Sequence, residues 1–446
     1  MNIQLSDHFD FKRLFRFTIP SVIMMIFTSV YGVVDGFFVS NFVGKTPFAA
    51  VNFVMPLLMI LGVIGFMFGA GGGALVAKTM GEGNLEKAKK LFSMFVYVTA
   101  VCGVVLAIPS FIFIRPIVSL LGAKGVMLDY CVIYGRIILA ALPFYMLQYE
   151  FQSFFITAQK PHLGLAVTLI AGVTNMVLDA LFMAVFQWGL VGAAAATAIS
   201  QVLGGVIPLI YFGCQNTSIL RLTRFVYNGK ALLKACINGS SELMTNISMS
   251  LVSMLYNIQL MKYAGEDGIA AYGVLMYVNL IFLAVFIGYS TGIAPVIGYH
   301  YGAKNYGELK NLKKKSFIII TVSSVIMFLA AEFLGAPLAE LFVGYDAGML
   351  ALTKRGFMIY SFSFLFSGIA IYGSAYFTAL NDGLTSALIS FLRSLVFQVA
   401  AVMLLPIVLG IDGIWYSIVV AELIAATVTL VFIVVKGKRF NAECSI

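Results

Sequence analysis

The stretch Met80-Gly81-Glu82-Gly83-Asn84 closes a long apolar run, and Tyr301-Gly302-Ala303-Lys304-Asn305 closes another one 221 residues later (302 less 81). The same offset aligns Gly44 with Gly265, Ala49-Ala50 with Ala270-Ala271, Gly71 with Gly292 and Pro116 with Pro337. It continues through Gly135 and Gly356, Thr157-Ala158 and Thr378-Ala379, and Gly189 and Gly192 with Gly410 and Gly413. No gap is needed over nearly the whole length. The matched residues are mostly Gly, Pro and small side chains, which set turns and close packing. The chain reads as a tandem duplication.

Composition decides the solvent. The 446 residues are 61% hydrophobic and only 11% charged, with a mean hydropathy of +1.00, whereas soluble domains carry about 25% charged residues. A water-soluble fold is excluded. A bilayer-crossing helix needs about 20 mostly apolar residues. Twelve runs qualify, near 14–40, 52–77, 91–113, 130–156, 163–186, 190–213, 232–261, 270–299, 316–342, 352–379, 384–408 and 413–435. The expected fold is an all-α polytopic membrane protein of 12 transmembrane helices. Six spans per repeat give both repeats the same orientation, so two six-helix lobes are expected about a pseudo-twofold axis along the membrane normal. Residues 1–213 form the N-terminal lobe, 214–231 a polar cytoplasmic linker and 232–446 the C-terminal lobe. A duplicated apolar chain of this kind points to a transporter with its site where the repeats face each other.

Charge sets the orientation. With the N-terminus inside, 20 of the 28 Lys and Arg fall on the inner side, among them Lys12, Arg13, Arg16, Lys87, Lys89, Lys90 and the run Lys313-Lys314-Lys315. The positive-inside rule then places both termini in the cytoplasm and the chain in the cytoplasmic (inner) membrane. This asymmetry accounts for the net charge of +9, so no nucleic-acid partner is called for. The first apolar run has no small-residue cleavage site and reads as a retained span. Cys102, Cys131, Cys214, Cys236 and Cys444 form no CxxC pair and read as apolar fillers. His8, His162 and His300 are too scattered for a metal site.

Ionisable residues within lipid are costly, so each is a candidate site. Asp35 lies in span 1 and Asp179 in span 5. Asn175 and Tyr31 precede them by one helical turn each and share their faces. From the rise per residue, Asp35, Asp179 and Thr197 of span 6 lie about 9, 10 and 12 Å from the outer ends of their helices. Two close carboxylates cannot both ionise without a bound cation or a shared proton. At the offset of 221, Asp35, Asn175, Asp179 and Thr197 become Tyr256, Val396, Ala400 and Ile418, so helix packing alone does not demand them. Pro20 interrupts span 1 and favours a bend, either static or coupled to the acids. Gly65, Gly69, Gly73, Ala77 and Gly81 make a small-residue stripe for close helix packing. Glu242 and Arg393, at matching depth in spans 7 and 11, are expected to pair as buried ions. Tyr145, Gln148 and Gln152 of span 4 are candidates for lining a substrate cavity. Gly44-Lys45-Thr46 is not a phosphate-binding loop, because Val39 stands where the required Gly would be.

These residues resemble the multidrug and toxic compound extrusion (MATE) transporters over essentially the whole chain. The resemblance rests on Pro20 with V-V-D-G-F-F-V around Asp35, on G-x-x-x-x-A-A at Gly44–Ala50 and on G-E-G-N at Gly81–Asn84. N-M-V-L-D at Asn175–Asp179 and G-L-V-G-A-A at Gly189–Ala194 complete it. It implies that Asp35, Asn175, Asp179 and Thr197, with Tyr31 beside them, bind the coupling ion, H+ or Na+, in the N-terminal lobe, and that Pro20 bends the helix. It implies no cofactor and no enzymatic activity. A second acidic site on spans 7 and 10, used by one subclass, is not carried over, because span 10 has no acid.

The expected activity is cation-coupled antiport that exports amphipathic, mostly cationic small molecules by alternating access. The expected state is a monomer in the bilayer. A flippase for a lipid-linked sugar shares the architecture and is the alternative, though its anionic substrate would call for more basic residues than Arg136 and Arg393 within spans. A membrane-embedded enzyme would need a catalytic set such as HExxH, which is absent. A receptor would have no reason to carry an acid pair in one half only.

Overall fold

A computed structural model describes residues 3–344 and 346–443. Cys444 therefore lies outside the described residues. Among these residues the secondary structure is helical throughout, with no strand. The first lobe comprises α1 (Phe11–Val43), α2 (Thr46–Gly81), α3 (Leu85–Leu120), α4 (Gly125–Thr157), α5 (Pro161–Val185) and α6 (Gly189–Gly213). The second comprises α7 (229–264), α8 (Asp267–Gly302), α9 (Tyr306–Glu340), α10 (Ala347–Ala379), α11 (Gly383–Leu409) and α12 (Ile411–Lys436). The two lobes repeat one six-helix plan about an axis along the membrane normal. Helices α7 and α8 meet at Gly265, whose backbone (φ 63°, ψ −149°) is not helical. By length and composition eleven helices among the described residues are apolar enough to cross a membrane. The twelfth, α7, carries Lys230, Lys234, Asn238, Glu242 and Asn246. Its polar side chains are tolerated because it lies against the other lobe rather than wholly in lipid.

The duplication is visible in the turns. The Asn84 side chain caps α3 by accepting from the Lys87 amide at 3.0 Å, and Asn305 caps α9 by accepting from the Glu308 amide at 3.2 Å. The residue before each cap is left-handed, Gly83 at φ 80° and Lys304 at φ 54°. Gly189 (φ 58°) and Gly410 (φ 60°) open the last helix of each lobe. A left-handed backbone costs an ordinary residue about 1–2 kcal/mol, which explains glycine at both positions.

The small-residue stripe of α2 is packing surface. Gly65 and Gly69 admit the α4 backbone at Met146 and Glu150, and Gly73 faces Thr157. Nearer the end of the helix the stripe crosses to the other lobe. A Cβ at Gly81 would land on the Tyr299 carbonyl of α8, and one at Gly302 on the Lys78 carbonyl of α2. Gly71 and Gly239 bring α2 and α7 into the same backbone contact, while Gly288 and Gly292 of α8 receive Val22, Ser21 and Thr18 of α1. Lys78 lies 5.1 Å over the Tyr301 ring, and Asn238 donates to the Thr378 carbonyl at 2.9 Å. All these contacts lie in the half of the molecule that carries the α2–α3 and α8–α9 turns and most of the Lys and Arg, here called the basic end. Toward the opposite end, a Cβ on Gly32 or Gly36 of α1, or on Gly273 of α8, would meet nothing within 4 Å. The lobes are thus sealed at the basic end, and no glycine contact of this kind joins them at these three positions toward the other.

Two further ties close the basic end. Residues Leu5 and Phe9, both 0% exposed, strap the start of the chain to α9. The Phe9 amide donates to Glu308 Oε1 at 3.0 Å, and Glu308 Oε2 lies 2.6 Å from His8 Nδ1. The Phe9 carbonyl accepts from Asn311 and from Lys315 Nζ, the latter at 2.6 Å. Within the second lobe, Asp382 caps α11 and pairs with Lys436 of α12 at 2.5 Å. Burial pushes the Asp382 carboxyl up, but its bonds from Lys436 and Thr385 outweigh that and hold it below the usual carboxylate value.

Adding one methyl group in the seal tests its role. Gly81→Ala should push α2 off α8 at a cost of about 1–3 kcal/mol, moving the population toward a form open at the basic end. Spin-label distances between the α2–α3 and α8–α9 turns should lengthen in the variant, and an unchanged distribution would show that the glycine contact does not hold the lobes together.

Candidate functional site

Four helices of the first lobe bring polar side chains to one buried place. Helix α1 supplies Tyr31 and Asp35, α4 Tyr134, α5 Asn175 and Asp179, and α6 Thr197. Asp179 is 0% exposed, and Asn175 and Tyr134 are 1% exposed. The Thr197 hydroxyl donates to Asp35 Oδ1 at 3.5 Å. The Asp35 and Asp179 carboxyls face each other. With acceptors on both sides, neither oxygen of Asp179 has a hydrogen-bond donor. Both side-chain atoms of Asn175 and the Tyr134 hydroxyl are also without partners among the described residues. Buried polar atoms left unpaired cost free energy, and here five of them converge on the acid pair. One proton or one hard cation between the carboxyls would satisfy the Asp179 oxygens, whereas the Asn175 amide nitrogen is a donor and needs an acceptor. No cluster of three or more His, Cys, Asp or Glu suited to a transition metal occurs among the described residues.

An aromatic wall adjoins this cluster. Tyr31, Tyr145 and Tyr149 gather around one point, with Tyr145 and Tyr149 edge to face at 5.0 Å between centroids. Phe66 of α2 stacks on Tyr149 at 4.0 Å, and Phe27 lies 6.1 Å from Tyr31. Helix α1 approaches α5 closely because residue 172 is Gly. A Cβ there would meet Phe27 at 2.5 Å and Tyr31 at 2.8 Å.

The matching place in the second lobe is built differently. Tyr256, which aligns with Asp35, donates to Gln398 Oε1 at 3.0 Å and stacks on Tyr272 at 5.2 Å. Arg393 Nε donates to both carboxylate oxygens of Glu422 at 3.1 and 2.9 Å. These groups satisfy one another and leave no charge to be matched from outside.

The sequence profile of the MatE family matches residues 20–181 and again 243–404. The chain belongs to the MatE family. The two matches start 223 residues apart (243 less 20), close to the offset of 221 that aligns the turns. Full-length relatives include the multidrug export protein MepA of Staphylococcus saprophyticus, 24% identical over 97% of this chain and 95% of that protein. MepA of Staphylococcus aureus is 23% identical over 98% and 96%. Among solved structures, the outward-facing conformation of a multidrug resistance MATE family transporter superposes with a TM-score of 0.93 at 22% identity, covering 100% of this chain and 99% of that one. A MATE transporter in complex with MaL6 gives 0.92 at 21% identity over 98% of each chain.

In this MATE transporter the residues expected to form the ion site do converge. Pro20 lies within α1, which runs helical through it. Tyr145 packs on Gly62 of α2 beside Tyr149. Gln148 and Gln152, each 5% exposed, lie in the seams of α4 with α6 and α5. Gln148 is pressed against Gly204, and Gln152 donates to Thr168 at 3.4 Å. The expected Glu242–Arg393 ion pair is corrected. Helices α7 and α11 do touch, at Gly383 against Asn238, but Arg393 pairs with Glu422, and Glu242 has no ion pair among the described residues. The reason is local, because Arg393 sits in a π-helical segment, Leu392–Val396. One extra residue per turn swings its side chain off the regular α-helical direction, toward α12. Tyr134 and Tyr149 carry no mark of their own in the sequence, and Glu422 is legible there only as an acid within a span with no assignable partner. Tyr134, Tyr145 and Tyr149 are spaced by 11 and 4 residues, three turns and one turn of a single helix face. At the repeat offset Gly172 becomes Arg393 and Gln201 becomes Glu422, so opposite charges arise together where the first lobe has none.

The corrected pairing has a direct test. Glu422→Gln leaves the buried Arg393 guanidinium uncompensated and should destabilise the protein by about 3–5 kcal/mol, read as a clear fall in Tm in detergent. Glu242→Gln breaks no ion pair and should leave Tm nearly unchanged. The reverse order would restore the Glu242–Arg393 assignment.

Proposed function

We propose that this MATE transporter is an ion-coupled antiporter that exports amphipathic, mostly cationic small molecules. The observation that carries the coupling is the asymmetry between the lobes. Buried, unpaired oxygens of Asn175, Asp179 and Tyr134 lie around Asp35 in the first lobe, where the second lobe has the self-satisfied Tyr256–Gln398 and Arg393–Glu422 pairs. The coupling ion, H+ or Na+, binds between Asp35 and Asp179 with Thr197 and Asn175 completing its oxygen shell and Tyr31 at its edge. The likeness to proteins named for multidrug export supports the substrate class. So does the wall of Tyr31, Tyr145, Tyr149 and Phe66 beside the site, since aromatic faces suit flat cations. The working unit is a monomer. Its lobes, 1–213 and 232–446, are joined by a linker at 214–231, and both termini and the basic end are cytoplasmic. In that orientation the described state is closed inward and open outward.

Helix α1 is the mechanical link. It carries Asp35 in the ion site. Thirteen to seventeen residues away (35 less 22 to 35 less 18), about 20–26 Å along the helix, its Thr18, Ser21 and Val22 form the seal against Gly288 and Gly292 of α8. Pro20 lies between Thr18 and Ser21 in the chain and lacks the amide that would complete the helical ladder. An ion that draws Asp35 and Asp179 together, or lets them part, therefore acts on the same helix that closes the cytoplasmic side. Ion and substrate favour different arrangements of α1, and entry of one promotes release of the other.

Asp35→Asn should abolish gradient-dependent efflux while the protein still inserts and folds. Wild-type efflux in this variant would remove the coupling role. Reconstituted vesicles with a fluorescent organic cation, given a sodium gradient or a proton gradient separately, identify the ion. One gradient should drive uptake against the concentration difference and the other should not. Failure of both would refute ion coupling.

A further inference from the structure

A groove of about 560 Å³ runs along the outer side of the first lobe at the basic end, between α1 and α5. Its head is basic, formed by Lys12, Arg16 and His162. Its wall is apolar, formed by Phe15, Ile19, Ile23 and Leu165. On α1 the residues follow helical spacing, with Lys12 and Arg16 one turn apart and Phe15, Ile19 and Ile23 one turn apart, so one helix face carries charge at its end and hydrocarbon below it. Phe15, Ile19 and Ile23 are 43%, 45% and 44% exposed. Lys12 and Arg16 are exposed and make no hydrogen bond or ion pair among the described residues. The Asp35 site and the seal between the lobes use none of these side chains.

Dimensions and charge select the occupant. From Lys12 to Ile23 is eleven residues, about 16 Å of helix, close to half of the roughly 30 Å hydrocarbon core. The groove thus starts at the membrane interface and ends near the bilayer centre, the extent of one leaflet. A soluble anion would match the head but leave the apolar wall unused. An exported cation would match the wall but be repelled by the head. We propose that the groove binds one anionic phospholipid from the leaflet at the basic end, with its phosphate on Lys12, Arg16 and His162 and an acyl chain along Phe15, Ile19 and Ile23. Pro20 forms part of the groove, so the lipid lies against α1 where the helix lacks a backbone donor.

The test uses the purified full chain taken from phosphatidylcholine vesicles that contain phosphatidylglycerol, with retained lipid read by native mass spectrometry. Wild type should retain phosphatidylglycerol in preference to phosphatidylcholine. Each basic residue near an anionic headgroup contributes about 5-fold in affinity, so Lys12→Gln with Arg16→Gln should lower retention roughly 25-fold. Ile19→Trp, which fills the groove and keeps both charges, should also lower it. Equal retention of the two lipids by wild type, or unaltered retention in both variants, overturns the proposal. Displacement of the lipid by inorganic phosphate alone would overturn it too, because the site would then be one for a free anion.

Discussion

Lipid offers no hydrogen bonds, and that constraint organises the molecule. Any polar atom carried into the spans must find a partner inside the protein or be kept for use. At the place that matches the acid pair the second lobe takes the first course, with Tyr256 on Gln398 and Arg393 on Glu422. The first lobe leaves Asn175, Asp179 and Tyr134 unpaired around Asp35. The two halves have the same scaffold and turns, so the difference is not a by-product of folding. It is a difference in what each half holds in reserve.

The same constraint explains the seal. Helices in lipid gain little from hydrophobic association and depend on close packing. Gly71, Gly81, Gly239, Gly288, Gly292 and Gly302 let backbones of opposite lobes touch. Such a contact has no long side chains to adjust, so it is either made or lost, and this suits a gate between two arrangements. Helix α1 belongs both to this contact and to the acid pair. A local event at Asp35 thereby has a route to the far end of the protein.

Much of this was legible in the residues. The offset of 221 found the two lobes because Gly, Asn and Pro at turns obey backbone rules that survive when side chains diverge, as Asn84 and Asn305 still do as helix caps. The acid pair was legible because carboxylates in apolar runs are costly. Partner choice was harder to read. Whether Arg393 meets Glu242 or Glu422 depends on the rotation of one helical turn, and a π-helical segment leaves no clear mark in composition. Tyr134 carries no such mark, because a tyrosine in an apolar helix is ordinary until its hydroxyl is known to be buried without a partner. The sequence reads 232–261 as one of twelve apolar runs, whereas only eleven helices among the described residues are apolar enough to cross a membrane, and α7 is not one of them.

The strap at His8 and Phe9 carries a consequence for how the protein is made. Its partners Glu308, Asn311 and Lys315 lie about 300 positions further along the chain. At roughly 5–20 residues per second on the ribosome, Leu5 and Phe9 wait about 15–60 s before those partners exist. Until then two apolar side chains that end fully enclosed have nowhere to go. The first lobe must therefore enter the bilayer with its leading segment undocked, and the arrival of α9 becomes the event that fastens that segment across the two halves.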